Sequence, residues 1–161
     1  MATKEELIKG MELVIQEGHS IARRLTEDQW SAVVDIDGWK SKQVLAHVAS
    51  VGSIIVPFAS NMANAEPGAD LAAGLDVNQM NAGLVGAREG KSPQELAQEL
   101  ETGYRGAIEF IKTAPDDLLN KKVAFRTMTD TAVSDVIATV VVMHGIAHFY
   151  SAYDAIMNPK G

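Results

Sequence analysis

Two of the chain's four histidines stand four residues apart, as His144-x-x-x-His148, inside a long apolar run near the carboxyl terminus. On an α-helix that spacing puts both side chains on one face, with Cβ atoms about 6 Å apart, so two imidazoles can converge on one ion. Neutral imidazole ligates zinc, nickel, copper or ferrous iron, and two ligands on one rigid helix arrive largely preorganised. The spacing alone leaves a second reading open, because buried histidines also serve as hydrogen-bonded core residues. Gly145 stands where a His-Glu-x-x-His metalloprotease carries its general base, which excludes that chemistry.

His47 supplies a third imidazole. It lies one helical step from both Val44 and Val51, on or beside the core-facing stripe of an earlier helix. A lone histidine there is also readable as a core residue. Opposite the helical pair, it makes a facial site of three histidines, with positions left for water or substrate. His19 is the unplaced fourth and reads as surface or pocket-lining. His19, Asn81 and Arg88 are the weaker pocket candidates. The planar fork of Arg88 suits a substrate carboxylate, although a solvated helix end before Gly90 explains it equally well. Asp154 is the candidate general base for metal-assisted hydrolysis, but it is six residues past His148 and reads more simply as surface charge. There is no cysteine, so the chain itself offers no thiolate ligand, sulfur nucleophile or disulfide. No serine–histidine–acid arrangement is legible.

The elements that must position these residues read as helices. The chain has 161 residues, 47% of them apolar and 22% charged, enough for one ordinary domain, 1–161, with its own core. Residues 4–25 place Leu7, Met11, Val14, Ile15, Ile21 and Leu25 at three- and four-residue steps, with Gly10 and Gly18 as weak points. Residues 26–38 read as a loop ending in the turn Asp37-Gly38. Ser41 is the expected N-cap of a second helix, with Pro57 expected to kink or end it. A turn-rich connection at 65–70 and a short extra helix at 78–88 follow. Ser92-Pro93-Gln94-Glu95 is a capping box with proline at the first helical position, opening a third long helix that stops before Pro115. After a polar connection at 116–130, Thr131 or Asp130 is expected to cap a final helix reaching about Met157. The β-branched run at 136–142 suits a strand locally, but the apolar pattern is too long for one. The expected architecture is all-α: a four-helix bundle with a short extra helix between its second and third members.

Charge and patterning narrow the partners. The formal net charge is −7, and the only basic clusters are Arg23-Arg24 and Lys121-Lys122, so counterion release on nucleic acid offers nothing. Residues 1–6 are charged with no apolar signal core behind them. The apolar stretches at 48–59 and 136–143 read as too short to cross a bilayer. The expected compartment is the cytoplasm, with no nucleic-acid or membrane partner.

The run Gly38-Trp39-Lys40-Ser41, continuing through Leu45-Ala46-His47, resembles the tryptophan–serine–leucine–histidine signature that opens the second helix of DinB-like proteins. Within that superfamily it is most similar to the branch of mycothiol-dependent maleylpyruvate isomerases. The stretch 76–88, the run Lys91-Ser92-Pro93-Gln94-Glu95-Leu96, and the pair His144 and His148 extend the resemblance over about 5–157. It implies a bundle with the DinB-like helix order and a divalent metal on His47, His144 and His148. Zinc is expected first, with nickel or iron as alternatives, and often a homodimer. Trp39 matches the family tryptophan and reads as a core anchor. Those isomerases carry a further C-terminal domain, whereas this sequence ends at Gly161, so substrate contacts from such a domain are not expected here.

Three functions remain in play. The first is a metal-dependent thiol S-transferase or isomerase acting on a small electrophile, with a low-molecular-weight thiol as cofactor. The second is a metal-dependent hydrolase. The third is a non-enzymatic stress or binding protein with a structural metal.

Overall fold

The computed structural model describes residues 1–34, 38–66 and 69–158. Helix α1, Lys4–Arg24, starts where Thr3 accepts the Glu6 N–H and the Glu6 carboxylate accepts the Thr3 N–H. Acidic residues in its first turn and Arg23 and Arg24 in its last suit the helix dipole. Its apolar stripe, including Leu7, Met11, Val14 and Ile21, is buried as the periodicity predicts.

Residues 26–38 are not wholly loop. Thr26 and Gln29 close a second reciprocal capping box, which starts the one-turn helix α2, Glu27–Ser31, and buries Trp30. Gly38 has φ of 79°, a conformation that favours glycine, while Asp37 of the expected turn lies outside the described residues.

Helix α3, Ser41–Asn64, begins one residue earlier than predicted. Lys40 is the N-cap, its N–H donating to the Gln43 side chain, and Ser41 is already helical and buried. Pro57 does not end the helix, which runs on to Asn64. Of the connection expected at 65–70, Pro67 and Gly68 lie outside the described residues. The extra helix α4, Val77–Gly86, is present and is capped by Asp76. Helix α5, Pro93–Thr113, opens on the Ser92–Glu95 capping box as read.

The expected polar connection at 116–130 is structured instead. It holds a one-turn helix α6, Asp116–Asn120, and an antiparallel hairpin of β1, Lys122–Phe125, with β2, Met128–Ala132. Val123, Phe125 and Ala132 are buried, and Phe125 meets Phe58 of α3 edge-on, so tertiary burial stabilises a hairpin whose polar residues hid it. Asp130 and Thr131 belong to β2, and Ala132 is the N-cap of the last helix, α7, Val133–Met157. Within α7, Ala138–Met143 is π-helical, with the His144 N–H donating to the Thr139 carbonyl five residues back.

Among the described residues these seven helices and one hairpin make an all-α fold. Around the bundle the long helices run α1, α5, α3, α7, so the consecutive long helices α1 and α3 face each other across a diagonal. The α3–α5 seam is a glycine contact. A Cβ on Gly103 would come within 2.6 Å of the Gly52 carbonyl carbon. Ser41–Met62 and Val133–Met157 are long and apolar enough to cross a membrane, correcting the shorter lengths read from sequence. Helical continuity through Pro57 and the π-helical turn makes the difference, and both helices pack in the bundle here.

Candidate metal centre

His47 sits on the second turn of α3 and is 3% exposed, between the buried Val44 and Val48. His144 follows the π-helical turn of α7 directly, and His148 lies one turn further, both half-buried. The three rings meet. Centroids of His47 and His144 are 5.1 Å apart, those of His47 and His148 4.9 Å, and those of His144 and His148 4.4 Å, all near perpendicular. One ring nitrogen from each lies within 4.8 Å of the others, and the Nε2 atoms of His144 and His148 are 3.0 Å apart.

This donor set suits a divalent ion. Metal–nitrogen bonds of about 2.0–2.1 Å place neighbouring ligand nitrogens about 3.0–3.4 Å apart. His144 and His148 already stand at such a spacing, and one His47 ring nitrogen lies within 4.8 Å of a ring nitrogen on each. Among the described residues no aspartate or glutamate joins the group, which leaves three neutral donors.

Trp39 does more than anchor the start of α3. The Val34 N–H donates to the Trp39 carbonyl across the bend containing Gly38, and the Ser41 N–H donates to Ala32. So held, the indole meets His47 edge-on at 5.0 Å and stacks over His148 with planes 16° apart at 6.3 Å. Sequence reasoning missed this contact because Trp39 precedes the helix and helical spacing cannot align it with His47.

Gly145 lies on the core side of α7. A Cβ there would stand 3.3 Å from the Tyr104 hydroxyl and 3.4 Å from methyls of Val14 and Val48. A glutamate at this position would enter the core rather than face the histidines.

The weaker candidates are placed elsewhere. The His19 Nε2 is 2.7 Å from the Glu101 carboxylate on α5, which also takes a hydrogen bond from Arg105 at 2.7 Å. Arg105 first and His19 second hold the Glu101 carboxyl below its ordinary pKa. The Arg88 fork grips Glu99 at 2.7 and 3.0 Å and the Leu84 carbonyl at 2.7 Å, so its carboxylate partner is internal. Asn81 is half-buried on α4. Asp154 is exposed near the end of α7, accepting from Asn158. A groove of about 500 Å³ runs between α1 and α7, lined by Leu13, Glu17, Ile146, Tyr150 and Tyr153 among others. At 100° per residue, its α7 residues lie on the side opposite His144 and His148.

The sequence profile described as the mycothiol maleylpyruvate isomerase N-terminal domain matches residues 12–148, a span that takes in all three clustered histidines. No curated protein matches the chain.

Proposed function

Because this chain belongs to the mycothiol maleylpyruvate isomerase N-terminal domain family, we propose that it holds one divalent metal on His47, His144 and His148 and acts as a metal-dependent thiol S-transferase or isomerase on a small electrophile. The observation that carries the reading is the convergence of three imidazole nitrogens, from two helices, within 4.8 Å. Zinc is the first expectation, with nickel or iron as alternatives. Such an ion supplies Lewis acidity and lowers the pKa of a thiol that reaches it.

The residues divide the work. His47, buried, is the inner ligand, and half-buried His144 and His148 leave the outer side accessible to a co-reactant. Trp39 walls the cluster on one side and limits water there. Three neutral donors leave the charge of a dication uncompensated, which favours an anionic guest such as a thiolate. The chain has no cysteine, so the sulfur comes from a separate small molecule. A thiol co-reactant needs a reducing compartment, in keeping with the cytoplasm.

Hydrolysis is the weaker reading, since Asp154 is exposed near the end of α7. A purely structural metal is weaker too, since structural sites are closed and two of these histidines are half-exposed. For a macromolecular partner we propose a second copy of the chain, docked on the α1/α7 groove. Leu13 and Tyr150 are exposed there, and Glu17 and Arg24 sit seven residues apart on α1. A two-fold axis across that face brings the acid of one copy toward the base of the other.

Elemental analysis of untagged protein beside a His144→Ala variant tests the site. Near-stoichiometric metal in the wild type, lost in the variant, is expected. Thiol-dependent turnover of an epoxide, maleyl compound or halogenated acid then tests the reaction. Wild-type protein that stays metal-free through titration with zinc, nickel and iron overturns the reading.

A further inference from the structure

Tyr104 of α5 is fully buried, yet it spans the bundle diagonal to reach α7. Its hydroxyl donates to the Val141 carbonyl at 3.1 Å, inside the π-helical turn and three residues before His144. The same hydroxyl would lie 3.3 Å from a Cβ on Gly145, between the two α7 histidines. Its ring covers Gly52 of α3, where an added Cβ would meet it at 2.8 Å, five residues past His47. One side chain therefore touches both helices that carry the triad. Burial pushes its pKa far up, so the phenol stays a donor.

A π-helical turn has poorer geometry than an α-helical one, and it persists only where its surroundings hold it. It also sets angle. Each residue of an α-helix turns the chain by about 100°, so a turn containing one extra residue rotates everything beyond it by about that amount. His144 and His148 lie immediately beyond.

We propose that Tyr104 is a positioning residue whose hydroxyl, bonded to the Val141 carbonyl, holds the π-helical turn and so fixes the rotation at which His144 and His148 face His47. Its functional meaning rests on the triad being the ligand set, whereas its structural content does not.

The test is Tyr104→Phe, which keeps the ring on Gly52 and removes only the donor. In metal-free protein, ring-to-ring NOEs between His47 and the α7 histidines should weaken, and the amides of residues 138–144 should shift. On titration with Co²⁺, affinity should fall about tenfold and the visible ligand-field spectrum should change, an effect typical of losing an outer hydrogen bond. Ile111→Val, a buried change elsewhere on α5, is the control and should leave the spectrum intact. A Tyr104→Phe protein with wild-type ring contacts and wild-type Co²⁺ spectrum overturns the proposal, whatever its melting temperature. If wild-type protein binds no Co²⁺, the metal reading falls, and the NOE comparison still decides the role of Tyr104. Should Tyr104→Phe not fold, Gly145→Ala presses on the same hydroxyl from α7. It is expected to reproduce the altered ring contacts, and unaltered contacts would overturn the proposal.

Discussion

A side chain's partner decides what it is available to do, and the titratable residues here divide sharply on that basis. His19 and His47 are the same chemical group on two helices of the bundle. One faces Glu101 across the α1–α5 seam, and the other meets two imidazoles and an indole. Arg88 likewise finds its carboxylate inside the protein, in a cluster with Glu99 and Lys91. Burial raises the Glu99 pKa, but hydrogen bonds from Lys91 and Arg88 more than offset this and leave it below the ordinary 4.5. A depressed carboxylate stabilises the fold above its unfolded pKa, and that contribution fades as pH falls through the folded value. Glu99→Gln should therefore lower the melting temperature at pH 7 and flatten its decline below about pH 4.5, measured by thermal scans from pH 7 to 3. A variant with the wild-type acid slope would show that Glu99 carries none of it.

At the scale of elements, the strongest cap and the most regular apolar stripe were readable, and features that depend on a neighbouring element were not. Ser92–Glu95 and the α1 stripe announce themselves in sequence, and both appear as read. The hairpin of β1 and β2 does not, because its strands are short, the second is largely polar, and they form against Phe58 and the core. Ser41 looked like a cap by residue type, yet the Lys40 backbone takes that place through Gln43. The α3–α5 seam depends on backbones meeting at Gly52 and Gly103. Gly103→Ala should cost about 1–3 kcal/mol, since the methyl meets backbone that cannot rotate away. Chemical denaturation checks this. A loss well under that range would mean the helices separate easily at this point.

Across the whole molecule, α7 has three working sides. One presents His144 and His148 to α3, a second buries Gly145 against Tyr104, and a third lines the groove with α1. The opposed placement keeps the proposed docking face apart from the three histidines. Tyr150→Asp should shift the protein from dimer to monomer in sedimentation velocity and leave the metal content of wild type unchanged. A wild-type protein that sediments as a monomer at high concentration would remove the proposed second copy.

The all-α class and the four long helices were legible in the sequence because helical periodicity and capping boxes are local, whereas the family and the grouping of His47 with His144 and His148 were legible only through resemblance to known motifs. Tertiary structure alone decided that Trp39 lies against His47 and His148 and that Glu101 and Glu99 are the partners of His19 and Arg88. It also decided that residues 138–143 wind as a π-helical turn. Each of these depends on which helix stands next to which, and with α1 and α3 on a diagonal that order is set by packing rather than by chain sequence.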